Sequence, residues 1–398
     1  MPLRIAIDIR RVRDFGVGTY IRNLVRSLAA IDTENRYVLV RSAGDAPELS
    51  GLPSNFETAV YKGSGRSGLS EIGFSMFLRG LVADVYHVPL NTVPFWMPRP
   101  YIVTAHDLAN ILFGNRPGFR NRARLFRQRR GLLRADRVIA VSNATRRDLE
   151  RIGLPSERIR TIYNALDPAF SERRAPAIGC LAETGFHYPP DVQRILDRYQ
   201  ISYPFILYVG RTNPHKNIPR LVEAFAVVRA HLQDHPIYND LRLIIIGDGI
   251  SRTPSLRRAV VRSRVENMVR FLGFVPIETL RVFYQTASAF AFPSLYEGFG
   301  LPPLEAMACG TPVVCSHVSS LPEVVGDAAV IVDPKSVFDI ARGLRDALID
   351  RELRARLIER GFEQVRRFNW SHTAADVLDT YRRVAIGVPA STREMVHS

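Results

Sequence analysis

The chain has 398 residues, too many for one ordinary hydrophobic core, so its length predicts two domains. Its composition, 46% hydrophobic and 23% charged, argues against disorder, and no apolar run reaches the ~18 residues that a membrane-spanning helix needs. The net charge is +15, and most of the excess lies in residues 1–180. This predicts either an anionic partner for the N-terminal half, such as nucleic acid, a membrane surface or a phosphorylated substrate, or a solvated basic surface.

The cysteines and the N-terminus bear on location. Cys180, Cys309 and Cys315 have no metal-ligand spacing, which is typical of a reduced cytoplasm. The first residues pass directly into an alternating apolar strand, without the pattern of a secretory signal. We therefore expect a cytoplasmic protein.

The first 170 residues alternate short apolar runs with longer amphipathic stretches, the pattern of βαβ units and a parallel sheet. Strands are predicted at residues 4–9, 37–40, 58–61, 84–88, 101–105, 137–142 and 159–163, and helices at 19–31 and 118–134. A second series follows, with strands predicted at 205–211, 241–249, 269–275, 289–294, 311–316 and 328–333.

The stretch between the two series is rich in charge, proline and glycine and indicates a linker. The predicted organisation is an N-terminal domain at 1–172, a linker or insertion at 173–200, a C-terminal domain at 201–366, a helix at 367–387 that returns to the N-terminal domain, and a tail at 388–398. Ligands bind doubly wound sheets outside the carboxyl ends of the strands, so we expect a site in a cleft between the two domains.

Two loops after strands have the residues of an anion site. Gly16 and Gly18 precede a helix that we predict to begin near Thr19 as N-cap, although an ordinary strand-to-helix turn explains them equally well. Arg211 and Lys216 precede a helix predicted from about Pro219. Two cations ahead of a helix N-terminus favour a diphosphate there, and a solvated basic loop is the alternative.

A third loop places Glu297 and Glu305 on either side of a turn and a double proline. Pro302 or Pro303 is predicted to start a helix, and the amides of Phe299, Gly300 and Leu301 to form an anion site. The carboxylates are suited to accepting hydrogen bonds from sugar hydroxyls. Alternatively, Glu305 complements the helix N-terminus and Glu297 is only solvated.

The motif E-x7-E of this loop, with "GVGTYIRNL", "VTAHDL", "VIAVSNATRRDL", "YVGRTNPHKNI" and "LIIIGDG" in order along the chain, resembles the retaining glycosyltransferases of family 4. The resemblance covers almost the whole chain and is nearest to bacterial mannosyl- and rhamnosyltransferases of surface polysaccharide assembly. It implies the GT-B fold, in which two Rossmann-like doubly wound parallel-sheet domains face each other across a cleft.

The resemblance also implies roles for single residues. Glu297 would hold hydroxyls of the donor sugar, with Phe299, Gly300 and Leu301 on its distal phosphate, and Glu305 would bind the ribose. Arg211 and Lys216 would neutralise the diphosphate, and Gly16 would approach the same phosphates. His106 would lie near the reacting sugar, oriented by Asp107. A structural histidine is the alternative.

The implied activity is transfer of a hexose from a nucleotide-diphosphate sugar, with GDP-mannose as the best guess, to a glycan or lipid-diphosphate-linked acceptor. We expect retention of anomeric configuration and no cofactor. We also expect no metal, because the chain contains no Asp-x-Asp motif. A sugar-nucleotide epimerase of the same fold and a nucleic-acid-binding protein are the alternatives. The first is disfavoured by the E-x7-E motif, and the second by the lack of a recognised binding module.

Residues 116–137 contain nine arginines and an apolar row at Phe119, Ala123, Phe126 and Leu133. The spacing approximates one face of a helix. We hypothesise that this basic segment rests on the anionic cytoplasmic face of the membrane. A helix packed on its own domain with solvated arginines is the alternative.

Overall fold

The chain folds into two compact units, as seen in a computed structural model that describes residues 1–14, 16–43, 49–63, 68–113, 119–171, 188–247 and 253–387. The first unit comprises Met1–Ala165 and the chain from Phe368, and the second comprises Leu166–Arg367. The chain therefore leaves the first unit a few residues before the predicted position 172 and returns to it next to the predicted position 367.

The first unit is built on a parallel sheet. Within the described residues its strands are β1 Arg4–Asp8, β2 Arg36–Ser42, β3 Phe56–Tyr61, β4 Val85–Val88, β5 Tyr101–Ala105, β6 Arg137–Ala140 and β7 Ile159–Thr161. They are arranged in the order β3-β2-β1-β4-β5-β6-β7, so the strand order reverses beside β1. Every residue of β4 and β5 is buried, as expected for parallel strands covered on both faces.

Helices cover both faces of this sheet. They are α1 Val17–Ile31, α2 Gly68–Gly80, α3 Ala109–Phe113, α4 Phe119–Arg134 and α5 Asn143–Arg151, with a 3₁₀ turn at Ser156–Arg158. Ile5 and Ile7 of β1 face one core, which α1 helps to form, whereas Ala6 faces the other, which contains Leu132 of α4. This alternation is the two-residue period of a strand.

The second unit contains another parallel sheet. Its described strands are β8 Phe205–Val209, β9 Arg242–Ile246, β10 Val269–Leu272, β11 Ala289–Phe292, β12 Val313–Ser316 and β13 Ala329–Val332. Their order is β10-β9-β8-β11-β12-β13, which reverses between β8 and β11. The sequence-based prediction of two parallel, doubly wound α/β units is thus confirmed, and each predicted strand overlaps an observed one.

The helices of the second unit follow the strands in alternation. They are α6 Pro168–Ser171, α7 Pro190–Arg198, α8 Ile218–His231, α9 Pro254–Arg262, α10 Ile277–Thr286, α11 Leu301–Ala308, α12 Leu321–Val325, α13 Val337–Ile349 and α14 Arg351–Arg366, with a 3₁₀ turn at Pro214–Lys216. Helix α13 packs against α8, and α14 packs against α11.

The predicted linker is in part a helix of the second unit. Residues 172–187, which include Cys180, lie outside the described residues, but α7 falls within the predicted 173–200 segment. Leu196 of α7 is buried, and Tyr199 lies edge-on to Phe283 at 5.2 Å between ring centroids. The reason is amphipathicity: α7 has an apolar side that needs a partner, and α10 provides it.

The last helix, α15 Trp370–Ala385, belongs to the first unit. Trp370 and Tyr381 are buried in the same core as α1. Arg160 of β7 ties the exposed side of α15 through ion pairs to Asp376 at 2.9 Å and Asp379 at 2.6 Å. The predicted tail at 388–398 lies outside the described residues.

Candidate active site

The residues predicted to act on a donor follow the central strands of the two sheets. In the second unit, Arg211 follows β8 and Glu297 follows β11, and these two strands are hydrogen-bonded neighbours. In the first unit, Gly16 follows β1 and His106 follows β5. Strand order reverses at β1/β4 and at β8/β11, which are the points where doubly wound sheets bind ligands.

The turn of the E-x7-E loop ends at Gly300, a position that only glycine can occupy without strain. Gly300 has φ 112°, and a Cβ atom there would lie 2.7 Å from Cδ2 of Leu321. Gly300 is the N-cap of α11, which begins at Leu301, one residue before the predicted start. Pro302 is therefore the second helical residue, where its missing N–H costs no intrahelical hydrogen bond.

Lys216 and Glu297, predicted separately, form an ion pair. The Lys216 Nζ atom lies 2.6 Å from Oε1 and 2.8 Å from Oε2 of Glu297, so one ammonium donates to both carboxylate oxygens. The two side chains are 17% and 11% exposed, and the partial burial strengthens the attraction relative to a surface pair. The loop carrying Lys216 is fastened to that carrying Glu297, because the Leu295 amide donates to the His215 carbonyl at 2.7 Å.

Arg211 is exposed and makes no ion pair within the described part of the chain. It follows Gly210, which has φ 152°. A Cβ atom on the neighbouring Gly247 would lie 1.9 Å from the Gly210 carbonyl oxygen. The ends of β8 and β9 therefore approach each other closely, and glycine at 247 permits it.

Glu305 lies in the second turn of α11, partly buried. The Tyr284 hydroxyl donates to its Oε2 at 2.8 Å, while Oε1 has no hydrogen-bond partner among the described residues. Burial raises the pKa of Glu305 to about 7, with Asp167 adding repulsion and the Tyr284 hydrogen bond opposing the shift. Glu305 therefore retains an acceptor atom for a hydroxyl donor, as the sequence-based role requires.

In the first unit, Gly16 is the N-cap of α1, with φ 70° and open space where a Cβ would stand. The predicted N-cap, Thr19, is wrong: it is the third residue of the helix. Gly18 is required by packing, because a Cβ there would lie 2.4 Å from the Val12 carbonyl oxygen. The positive φ at Gly16 ends the loop there, before the threonine whose N-cap preference set the predicted start.

His106 and Asp107 follow β5, and among the described residues no side-chain hydrogen bond joins the two. The His106 Nε2 lies 3.3 Å from the Pro89 carbonyl, to which it must donate, and Asp107 accepts from the Ala109 amide at 3.0 Å. Burial lowers the pKa of His106 to about 4, although nearby Asp107 opposes the shift. His106 is thus a neutral ring with Nδ1 as its acceptor nitrogen.

A buried polar chain beside His106 was missed by sequence reasoning. The His87 Nε2 lies 2.8 Å from Oγ1 of Thr104, which lies 3.2 Å from the Tyr20 hydroxyl. The Tyr20 ring meets the His106 ring edge-on at 4.8 Å. Because Tyr20 is in the first turn of α1, this contact brings the Gly16 loop and His106 to the same end of the sheet. The "VYHV" strand was read only as apolar, and its histidine was the available signal.

Metal ligation has no obvious place in the described residues, which contain no group of three or more His, Cys, Asp or Glu side chains able to hold an ion. Nor do these residues include a helix long and apolar enough to cross a bilayer. Independence from metal remains a prediction.

The chain matches known proteins along most of its length. Residues 16–170 match the family model described as "Glycosyltransferase Family 4", and residues 195–364 match "Glycosyl transferases group 1". O-antigen chain mannosyltransferase B of Escherichia coli is 32% identical over 313 residues, which cover 77% of this chain and 76% of that protein.

Two further similarities differ in what they cover. The serotype-specific mannosyltransferase WbdA of Escherichia coli is 31% identical over 307 residues, which cover 75% of this chain but 34% of that protein. The crystal structure of WaaG, a glycosyltransferase involved in lipopolysaccharide biosynthesis, superposes with a TM-score of 0.72 at 16% identity, over 95% of this chain and 99% of WaaG, and so shows the fold alone. These similarities do not favour an epimerase or a nucleic-acid-binding protein. The chain belongs to glycosyltransferase family 4, and its two α/β units have the GT-B fold.

Proposed function

We propose that this glycosyltransferase transfers mannose from GDP-mannose to a lipid-linked glycan in the assembly of a surface polysaccharide such as O-antigen. The observation that carries the proposal is the 32% identity to an O-antigen chain mannosyltransferase over most of both chains. The site geometry supports it: a partly buried Lys216–Glu297 pair lies at the ends of the two central strands of the second unit, beside the start of α11.

The second unit would bind the donor. The distal phosphate would lie at the N-terminus of α11, near the amides of Gly300 and Leu301, and Arg211 and Lys216 would neutralise the diphosphate. Glu297 would accept from hydroxyls of the sugar, and Oε1 of Glu305 from the ribose. Stabilising the departing diphosphate is the main electrostatic task in breaking a glycosyl–phosphate bond.

Retention of configuration would follow from attack on the face that the diphosphate leaves. The bond between the anomeric carbon and the phosphate oxygen breaks, and its electron pair departs with the diphosphate. The acceptor oxygen then bonds to the same face, and its proton passes to the leaving phosphate oxygen. Glu297 is a poor nucleophile for the alternative double displacement, because Lys216 engages both of its carboxylate oxygens.

Neutral His106 would act by hydrogen bonding. Because Nε2–H donates to the Pro89 carbonyl, Nδ1 is available to accept from a sugar or acceptor hydroxyl. A neutral ring adds no positive charge that would compete with Arg211 and Lys216 for the diphosphate. The reaction would use the nucleotide sugar and the acceptor as substrates and would need no cofactor.

Incubation with a panel of nucleotide sugars tests the donor assignment. We expect release of nucleoside diphosphate from GDP-mannose in preference to UDP-sugars, with Lys216→Met and Glu297→Gln each lowering the rate at least ~100-fold. Sugar-nucleotide product carrying an inverted centre, without released diphosphate, would instead indicate an epimerase. Full activity in both variants would refute the site assignment.

We also propose that α4 rests on an anionic membrane. Its buried side, with Gln128 and Leu132, packs on the first unit, whereas Arg122, Arg124 and Phe126 are exposed, Phe126 by 64%. Of the predicted apolar row, Ala123 and Phe126 thus face outward, Leu133 packs against the core, and the Phe119 side chain lies outside the described residues. An apolar ring among exposed arginines is suited to an interface between headgroups and acyl chains.

Co-sedimentation with vesicles tests this surface. The triple variant Arg122→Gln, Arg124→Gln, Phe126→Ser should bind phosphatidylglycerol vesicles at least ~10-fold less tightly than wild type, because each arginine near such a surface contributes ~1 kcal/mol. The matched control changes the same residue types in the second unit: Arg351→Gln, Arg356→Gln and the exposed Phe338→Ser. Equal loss in both variants would leave only net charge as the cause and would reject α4 as the contact.

A further inference from the structure

Serines of the loop between β12 and α12 hold the backbone of the E-x7-E loop. Ser319 donates its hydroxyl to the Glu297 carbonyl at 2.5 Å. The Ser320 hydroxyl lies 2.7 Å from the Phe299 carbonyl and 3.0 Å from that of Glu297, so its single proton is shared between them. Ser316, at the end of β12, lies 2.5 Å from the Ser294 carbonyl in the same way.

The Ser320 side chain does not cap the helix that Ser320 precedes. It is the N-cap of α12, where a serine side chain normally accepts a hydrogen bond from an amide of the first turn. Here the Ser320 side chain makes no such bond and is fully buried against the E-x7-E loop. Its hydroxyl is committed to that loop and not to its own helix.

Ser319 is held in an unfavourable backbone conformation. Its φ is 59°, in the left-handed region that costs a residue other than glycine about 1 kcal/mol or more. Such strain persists only where surrounding contacts impose it, and it concentrates at functional sites. The conformation places two consecutive hydroxyls on one carbonyl, that of Glu297.

Holding these carbonyls also sets the direction of the amides that follow them. In a trans peptide the C=O and N–H bonds point in opposite directions. The Phe299 carbonyl is directed toward Ser320, so the Gly300 amide of the same peptide group points away from the α12 loop. The Glu297 carbonyl likewise fixes the peptide that leads from the sugar-binding carboxylate into the turn.

We propose that Ser319 and Ser320 are positioning residues for donor binding: they orient the Glu297–Gly300 backbone so that the Gly300 amide, and not the carbonyl oxygens of this loop, meets the donor diphosphate. The proposal rests on the donor site described under the proposed function. A carbonyl turned toward the phosphates would repel them, so loss of these hydroxyls should weaken recognition of the distal phosphate specifically.

The test is calorimetric binding of GDP and GMP, or UDP and UMP if the wild type prefers those, with donor KM and kcat measured alongside. Ser319→Gly removes the hydroxyl while relieving the strained φ, so it should fold at least as stably as wild type. Ser320→Ala removes the shared hydrogen bond. We expect each variant to bind the diphosphate about 5- to 30-fold less tightly, the equivalent of 1–2 kcal/mol for a hydrogen bond, while affinity for the monophosphate changes less than twofold. Donor KM should rise in parallel with the diphosphate Kd, with a smaller change in kcat.

Thr286→Val is the matched control, since the buried Thr286 hydroxyl donates to the Val282 carbonyl at 2.8 Å elsewhere in the second unit. It should lose stability but keep the ratio of diphosphate to monophosphate affinity. The proposal is overturned if the serine variants retain the wild-type ratio of diphosphate to monophosphate affinity, whether both affinities are unchanged or both fall equally. If the wild type itself binds neither diphosphate and uses no nucleotide sugar, the proposed function is wrong. That outcome is distinguishable from failure of the serine proposal, which is judged from the variants relative to an active wild type.

Discussion

Lys216 and Glu297 each have a role that depends on the other. Bidentate donation by one ammonium fixes the Glu297 carboxylate, and the carboxylate in turn holds the Lys216 ammonium beside the end of β11. The Lys216 ammonium also lies 5.4 Å from the centroid of the Phe292 ring, which adds a weak cation–π attraction. Removing either partner would leave the other charge partly buried without a counter-charge, which costs free energy of folding.

A double-mutant cycle on Lys216→Met and Glu297→Gln should therefore show strong coupling in stability. We expect a coupling free energy of about 1–3 kcal/mol by urea denaturation, because either single change leaves one group of the pair without its partner. The pair Arg146–Glu150, at 29% and 34% exposure, is the control and should couple by less than ~0.5 kcal/mol. Equal coupling in the two pairs would contradict the account.

The raised pKa of Glu305 predicts how the stability of the protein depends on pH. Its pKa is raised to about 7, so between the ordinary carboxyl pKa and pH 7 the folded protein binds more protons than the unfolded chain at this site. This group's contribution to stability is therefore lost as pH rises through that window. Glu305→Gln keeps an acceptor for Tyr284 and removes the titration, so relative to wild type it should gain about 2 kcal/mol between pH 5 and pH 8.

Hydrogen exchange in α11 and β12, corrected for intrinsic rates, measures this difference within the second unit. Glu323→Gln, on the neighbouring α12, is the control for removal of a carboxylate elsewhere in the second unit. A Glu305→Gln variant whose protection relative to wild type is the same at both pH values would count against the burial argument.

At the scale of elements, helix starts proved sensitive to single backbone conformations. α1 begins after Gly16 and α11 after Gly300, both with positive φ, and each start precedes the one that side-chain preferences predicted. The positional preferences of threonine and proline predict the first turn of a helix to within a few residues. The first helical residue itself depends on where the positive backbone φ of the loop ends. The loops before both helices were nevertheless identified from glycine and proline alone.

Gly16 offers a test that separates backbone strain from function. Gly16→Ala and Gly153→Ala both place a Cβ in open space at a positive φ, 70° and 91°, and both glycines are exposed. Each should cost roughly 1 kcal/mol of stability. If Gly16 approaches the donor phosphates, only Gly16→Ala should lower kcat/KM, by about 10-fold or more. Equal kinetics in the two variants would restrict Gly16 to a structural role.

At the scale of the whole molecule, the two units should respond to acid in opposite ways. In the first unit burial lowers the pKa of His87 to about 3 and of His106 to about 4. The unfolded chain therefore binds more protons at these sites as pH falls below about 6.5, and stability falls with it. In the second unit protonation of Glu305 acts in the other direction.

Tryptophan fluorescence can isolate the first unit, because Trp96 and Trp370, the two tryptophans of the sequence, both belong to it. We expect its urea-unfolding free energy to drop by about 3 kcal/mol from pH 7 to pH 5. His87→Gln should remove about half of that drop, whereas the exposed His372→Gln should leave it unchanged. An unaltered drop in His87→Gln would show that the acid sensitivity lies elsewhere.

The sequence by itself determined the strands, their parallel arrangement in two units and the loops that carry the candidate site. Buried parallel strands are recognisable as short apolar runs, and Gly and Pro mark the turns after them, so these features depend on neighbours along the chain. The resemblance of "EGFGLPPLE" and its companion motifs to family 4 supplied the proposed roles of single residues. The prediction of a linker or insertion at 173–200 did not include the helix α7, because prolines before residue 191 obscured a short amphipathic pattern.

Only the tertiary structure decided which side chains meet. Lys216 bonds to Glu297 across 81 residues, Ser320 reaches the Phe299 carbonyl from another loop, and His87 meets Tyr381 of α15 across 294 residues. No local pattern specifies these pairs, because they depend on strand order and on the return of the chain to the first unit. The sequence thus located the two acids of the E-x7-E loop. Only the fold showed that Lys216 pairs with the Glu297 carboxylate and that two serine hydroxyls donate to its carbonyl.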